Sequence, residues 1–176
     1  MPLTLHEAFV PGVMQILSGM HTVIDNAEAH CTAHGMDPGE LYEAKLAETM
    51  WPLPYHVRAC WVHSAYAIEL YKTGEFSPDF TQLPGDWNAM RTMIDDTLAQ
   101  LAQVDPDALD ATAGDVIGFV LGGKRLLEMP AQKFLLNFNQ PNFYFHATTF
   151  YDILRMKGVA LSKRDFTGAN ARPMGI

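Results

Sequence analysis

The chain has 176 residues, 48% of them hydrophobic, which suits one globular domain with a sizeable core and excludes an intrinsically disordered chain. The net charge of −8 disfavours nucleic-acid binding, because the densest basic run, Ser-Lys-Arg-Asp at 162–165, is short and includes an acid. No apolar run reaches 18 residues, so we predict no membrane span. The N-terminus lacks a signal-peptide pattern, and Cys31 and Cys60 are the only cysteines, so we predict a cytoplasmic location.

The first predicted element is a long amphipathic helix. Thr4 and Glu7 form a capping box at its start, and Gly35 ends it. A short helix over 41–46 follows a turn, and a second long helix is predicted from about Pro54 to Tyr71.

A loop over 76–86 leads to a third long helix, which Asp86 caps, and one further helical turn is predicted over 107–111. The next segment predicts a β-hairpin, with strands at 116–121 and 124–128 joined by a glycine pair.

The fourth long helix is predicted over 131–157. Pro141 should kink this helix and free the carbonyl of Asn137. Residues four apart predict its inward face: Phe134, Phe138, Asn142, His146, Phe150 and Leu154. The tail over 162–176 is polar, and it is either loose or laid across a neighbouring element.

Four long helices with one small hairpin before the last predict a mainly α protein, a four-helix bundle that forms one domain over 1–176.

The first candidate site residue is His146. Asn142 lies one helical turn before it, so the two side chains point the same way and can converge on one ion or ligand. The alternative is a buried histidine that hydrogen-bonds to the amide or to the carbonyl freed by Pro141.

A second candidate group lies on the second helix. His56 and Cys60 are one turn apart, whereas His56 and His63 are about 10 Å apart along the helix axis, too far to share one metal. A site built from His56, Cys60 and His146 is physically possible, with imidazole nitrogen and thiolate sulfur as ligands. Alternatively, Cys60 is a small buried hydrophobe and His63 lies on the helix surface.

The fourth helix carries a recognisable pattern: Pro-Asn-Phe-Tyr-Phe-His-Ala-Thr-Thr at 141–149, Tyr-Asp-Ile-Leu-Arg at 151–155, Gly-Val at 158–159 and Lys-Arg-Asp-Phe at 163–166. With this pattern the chain resembles the bacterial domain-of-unknown-function family DUF1993, of the DinB/YfiT-like superfamily of metalloenzymes. The resemblance covers nearly the whole chain.

The resemblance implies a DinB-like bundle, commonly dimeric, with a divalent metal such as zinc or nickel inside one end. Three histidines typically hold it, one from the second helix and two four residues apart on the fourth. His56 and His146 match two of these ligands, whereas Asn142 replaces the third. Because an amide is a poor ligand for either metal, Cys60 or a water would have to complete the shell.

Two functions are therefore expected. The first is a metal-dependent transferase or hydrolase that acts on a small molecule with water or a thiol as nucleophile. The resemblance implies the thiol because some members of the superfamily use mycothiol or bacillithiol. The alternative is a non-catalytic dimeric module that binds a small molecule or a partner, with a degraded metal site. Phe143 and Tyr144 lie off the inward face of the fourth helix, so this surplus of aromatic surface predicts a homodimer.

Overall fold

Apolar residues at helical spacing build four long and three short helices in this computed structural model, which describes residues 3–168. In chain order these are α1 (Leu5–His34), α2 (Gly39–Tyr42), α3 (Leu53–Trp61, a π-helical segment Val62–Tyr66, and Ala67–Tyr71), α4 (Trp87–Ala102), α5 (Pro106–Ala111), α6 (Ala131–Lys133, a π-helical segment Phe134–Asn139, and Gln140–Met156) and α7 (Lys163–Thr167). The strands are β1 (Glu75–Phe76), β2 (Val116–Leu121) and β3 (Lys124–Pro130). The predicted mainly helical fold with a small hairpin is confirmed.

The ends of the long helices follow the predicted caps. The Glu7 amide donates to Thr4 Oγ1 at 3.1 Å, and the Thr4 amide donates to Glu7 Oε2 at 3.2 Å. Gly35 ends α1 with a φ of +59°, a conformation that suits a residue without Cβ. At the start of α4, Asp86 accepts a hydrogen bond from the Ala89 amide at 2.8 Å. These caps fix the ends of α1 and the start of α4 through local contacts alone.

The sheet has one more strand than the sequence predicts. β2 and β3 pair antiparallel around Gly122 and Gly123, both with positive φ, as a two-residue hairpin turn requires. β1 then pairs parallel to β2 where the segment predicted as a loop begins, with Phe76 opposite Phe119. A two-residue strand is too short to show an alternating pattern, so the sequence gives no signal for it. Phe76 is fully buried and anchors the sheet to the helices.

The core lies between the four long helices, where α3 packs on α6 and α1 packs on α4. Full burial of a large apolar side chain stabilises a fold by about 1.5–3 kcal/mol. The core residues that fix the helices around the later site include Phe9, Leu17, Met20, Leu53, Ile94, Phe143 and Phe150. None of the helices within residues 3–168 is long and apolar enough to span a bilayer.

A π-helical segment lies in the part of α6 where the sequence predicts a kink. It occupies Phe134–Asn139 and ends just before Pro141, whose ring cannot donate a helical hydrogen bond and crowds the preceding turn. The changed spacing turns Asn139 fully inward and leaves Phe138 half-buried. The predicted face of α6 is therefore correct at Phe134 and His146 but shifted between them.

Phe143, on the regular part of α6 and one turn before His146, is also fully buried in the core, whereas Tyr144 is half-buried. Phe145 is the aromatic residue of α6 that stays outside, with 54% of its surface exposed. The surplus aromatic surface behind the homodimer prediction is thus smaller than expected. The homodimer stays a prediction.

The first part of the polar tail lies across α1. The side-chain amide of Gln15 donates to the Thr167 carbonyl at 2.9 Å, and Phe166 packs on Tyr151. Gly19 permits this close approach, because a Cβ at that position would collide with the backbone carbonyl of Phe166. The rest of the predicted tail, from 169 to 176, lies outside the described residues.

Gly19→Ala should therefore detach α7 from α1. Alanine favours helix formation, but the collision is with backbone atoms, so we expect a net loss of about 1–3 kcal/mol in the free energy of unfolding. Urea denaturation measures the loss, and hydrogen exchange of residues 163–167 shows whether α7 undocks. Gly85→Ala is the matched control, because a Cβ there meets no atom within 4 Å. Wild-type stability and protection in the Gly19 variant would contradict this view of the contact.

Candidate functional site

Three buried histidines meet where the middle of α3 faces α6. His56 and His63 come from α3 and His146 comes from α6; their exposed fractions are 1%, 9% and 8%. His63 belongs to the π-helical segment of α3 and lies about two helical turns after His56, so both imidazoles come from the same side of the helix. The fold thus brings His56 and His146, which are 90 residues apart in the chain, into contact in its interior.

One chain of hydrogen bonds links His146 to the backbone. His56 Nδ1 and His146 Nδ1 lie 2.9 Å apart, and His56 Nε2 donates to the carbonyl oxygen of Trp51 at 3.1 Å. We call this chain the first relay. It ties α6 to the segment that leads into α3.

A second relay holds His63. Its Nδ1 lies 2.9 Å from Oδ1 of Asn139, and the Asn139 amide nitrogen donates to the Tyr71 hydroxyl at 3.0 Å and the Phe134 carbonyl at 3.4 Å. All of these groups are buried, so the amide is satisfied on both sides. The two π-helical segments therefore face each other and are joined by the His63–Asn139 contact.

The ring of His146 lies between two parallel rings. Trp51 stacks on it with centroids 5.6 Å apart and an angle of 10°, and His63 stacks with centroids 6.0 Å apart and an angle of 8°. These contacts, together with the first relay, fix the orientation of the imidazole.

A cavity of about 190 Å³ opens beside the stacked rings. Its walls are largely aromatic and include Trp51, Phe80, Phe119 and Phe138, whereas the polar side chains that line it are Arg58, His63, Asp79, Asn142 and His146. Such a cavity, apolar with a few converging polar groups, is the usual form of a small-molecule site.

Arg58 is a buried cation in this wall, with 2% of its surface exposed. It donates to the Phe80 carbonyl at 3.0 Å, and its guanidinium lies 4.9–5.5 Å from the ring centroids of Tyr55, Phe80 and Trp51. No carboxylate in the described part of the chain lies within ion-pair distance of it, so cation–π contacts and one carbonyl stabilise its charge.

The imidazoles are neutral at physiological pH. Burial, followed by the nearby His56, His63 and Arg58, lowers the pKa of His146 to about 3. Burial also lowers the pKa of His56 and of His63, partly opposed by their hydrogen bonds to the Trp51 carbonyl and to Asn139. The dry interior therefore holds lone pairs rather than positive charges on these rings.

The structure brings His56 and His146 together, as predicted, and adds His63, which sequence analysis left as a surface alternative. Cys60 does not line the cavity; it is fully buried, and its thiol donates to the Phe143 carbonyl at 3.8 Å. Burial raises the pKa of that thiol, which keeps it protonated. Asn142 lines the cavity, and its amide nitrogen donates to the Phe138 carbonyl at 2.7 Å.

The separation of the imidazole nitrogens bears on the divalent metal that the resemblance implies. Two imidazole nitrogens that share a tetrahedral zinc lie about 3.4 Å apart, whereas the Nδ1 atoms of His56 and His146 are 2.9 Å apart, as in a hydrogen bond. Across residues 3–168, no group of three or more His, Cys, Asp or Glu side chains is arranged to hold a metal ion. The pair thus suits a shared proton and does not form a closed metal centre.

Comparison with known proteins gives a family and a fold. The family model DUF1993, described as a domain of unknown function, matches residues 5–167. A crystal structure of a DinB family member protein from Shewanella denitrificans, determined at 1.83 Å resolution, is 26% identical in sequence. The similarity covers 94% of this chain and 92% of that chain, with a TM-score of 0.74. No curated protein matches.

Acid should destabilise the fold through the buried imidazoles. The pKa of His146 is about 3 in the fold and about 6.5 in an unfolded chain, so protonation favours unfolding. Its contribution is fully present above pH 6.5 and is lost as the pH falls from there toward 3. Between pH 7 and pH 5 we expect His146 alone to lower the free energy of unfolding by about 2 kcal/mol.

Urea denaturation across this pH range measures the effect. His146→Gln should flatten the pH dependence, and His34→Gln, at an exposed site on α1, is the control substitution. Equal slopes in the wild type and the His146 variant would show that His146 is not held neutral.

Proposed function

This chain belongs to the DUF1993 family, and from that premise we propose that it is a non-catalytic module that binds a small organic molecule between α3 and α6. The cavity beside His146 carries the proposal. It combines aromatic walls, polar side chains and imidazoles whose pKa values are lowered by burial, which together characterise ligand sites.

The size of the cavity sets the size of the ligand. A cavity of about 150 Å³ in another protein holds one benzene molecule, and the volume here is about 190 Å³. The site thus suits one ring with a small substituent, or an aliphatic group of similar volume. Phe80, with half of its surface exposed, lies at the wall where such a molecule would enter.

The chemistry of the polar groups favours binding over catalysis. A histidine with a pKa near 3 is a weak general base at neutral pH. Cys60 is protonated and turned toward a backbone carbonyl, and in the described residues no hydroxyl or thiol is hydrogen-bonded to His56, His63 or His146. An activated nucleophile would need such a partner.

The second candidate is the metal-dependent transferase or hydrolase, with water or a thiol as nucleophile. One observation favours it: His56 and His146, the side chains predicted to bind zinc or nickel, meet in the interior although they come from different helices. A bound metal would supply an activated nucleophile.

Toluene, which matches the cavity in size, tests the binding proposal. In ¹H–¹⁵N spectra, toluene should shift the signals of residues that line the cavity, such as Val62 and Asn142. Ala59→Leu should weaken this binding about tenfold or more, because the added atoms fill the cavity. Ala65→Leu is the control, since Ala65 is equally buried on α3 but does not line the cavity. Binding that is lost equally in both variants, or absent from the wild type, would refute the proposal.

Metal content separates the two candidate functions. Elemental analysis of protein purified without a nickel column should find zinc and nickel well below one ion per chain, because the described donors form no group of three. A stoichiometric metal that is lost in both His56→Leu and His146→Leu would overturn this expectation and favour the enzyme.

A further inference from the structure

We propose that the two relays fix His146 and His63 as Nδ1–H tautomers, so that the cavity selects a neutral ligand that donates hydrogen bonds. This inference rests on the proposed binding function and names the class of ligand. The distinction matters because a neutral imidazole is a donor at one ring nitrogen and an acceptor at the other, and its partners decide which.

The first relay begins at an atom that can only accept. The Trp51 carbonyl requires that His56 carry its proton on Nε2, which leaves Nδ1 of the neutral ring as an acceptor. His146 Nδ1, 2.9 Å away, must then be the donor. The proton of His146 is thereby placed on Nδ1, and its Nε2 keeps a free lone pair.

The second relay gives the same result for His63. The Asn139 amide nitrogen donates to the Phe134 carbonyl and the Tyr71 hydroxyl, which identifies its other terminal atom as the oxygen. That oxygen can only accept, so His63 Nδ1 carries the proton and donates to it. The Nε2 atom of His63 also keeps its lone pair.

Both lone pairs are left for a ligand. His63 and His146 line the cavity, and neither Nε2 atom has a hydrogen-bond partner in the described residues. Both atoms are accessible from the cavity, because the one fully buried side-chain nitrogen or oxygen without a hydrogen-bond partner in residues 3–168 is Nε1 of Trp87. Asn142 adds a third acceptor, since its nitrogen donates to the Phe138 carbonyl and its oxygen has no hydrogen-bond partner among residues 3–168.

The charges around the cavity restrict the ligand further. Arg58, a buried guanidinium, and the carboxylate of Asp79 line the cavity with opposite charges, so its wall carries no net charge that would favour an anion or a cation. Asp79 lines the same cavity, and its hydrogen bonds from Thr81 and Gln82, together with the charge of Arg58, lower its pKa and keep it ionised. A neutral aromatic or aliphatic body with N–H or O–H groups fits a wall without net charge and supplies donors to the three acceptors.

Long-range ¹H–¹⁵N correlation spectra of the labelled protein measure the tautomers directly. We expect Nδ1–H for His146 and His63 and Nε2–H for His56, a pattern that a merely space-filling role would not require. An Nε2–H tautomer at His146 or His63 in the wild type would overturn the proposal.

Three probes of nearly equal size test the selectivity. Aniline donates hydrogen bonds, benzonitrile only accepts them, and toluene does neither. With one or two added hydrogen bonds, aniline should bind about three- to tenfold more tightly than toluene, and benzonitrile should bind no more tightly than toluene. Benzonitrile affinity equal to that of aniline would overturn the selectivity, whereas failure of all three probes to bind would refute the proposed function itself.

Variants at His56 connect the relay to the selectivity. In His56→Gln, the amide can donate to the Trp51 carbonyl and accept from His146 Nδ1, so the Nδ1–H tautomer and the preference for aniline should persist. His56→Leu removes the acceptor, so His146 should gain Nε2–H and the preference should shrink. An unchanged preference in His56→Leu would contradict the relay. If that variant fails to fold, the tautomers of the wild type and His56→Gln still decide the question.

Discussion

The contact between His63 and Asn139 is the constraint on which the site depends. Each residue belongs to the π-helical segment of its helix, and their hydrogen bond joins the two segments in the interior. A π-helical turn is rare because its hydrogen bonds are less favourable than those of an α-helix. Here the segments place a buried donor opposite a buried acceptor, which offsets that cost and links the register of α3 to that of α6.

Burial then determines the charge state of the polar groups around the site. Burial disfavours charge, so the histidines are neutral and the Cys60 thiol stays protonated. A neutral imidazole in an apolar interior must still satisfy its N–H, and the Trp51 carbonyl, the His56 ring and the Asn139 amide oxygen accept these protons. The same arrangement stabilises the fold and leaves the opposite side of His63 and His146 open to a ligand.

Local signals in the sequence account for the parts of the fold that were predicted correctly. Capping boxes, a left-handed glycine and a glycine-pair turn act over a few residues, so Thr4, Gly35 and Gly122 identify their elements without tertiary information. The π-helical segments, β1 and the inward turn of His63 depend on contacts between distant segments. His56 and His146 were predicted from their places on the helices and from the resemblance. His63 was set aside because it lies about 10 Å along the axis from His56, too far to share a metal, and the hydrogen bond to Asn139 that holds it inside comes from another helix.

Asn142 shows how one residue changes the chemistry while the geometry remains. The resemblance implies a histidine at this position, one turn before His146, and the structure does place Asn142 at the cavity. Its nitrogen is occupied by the Phe138 carbonyl, so what it offers the interior is an amide oxygen. That oxygen accepts hydrogen bonds as an imidazole lone pair does, but it is a weak partner for zinc or nickel. The position therefore preserves an acceptor-lined cavity without a third strong ligand, and hydrogen-bond donors are the partners that suit what remains.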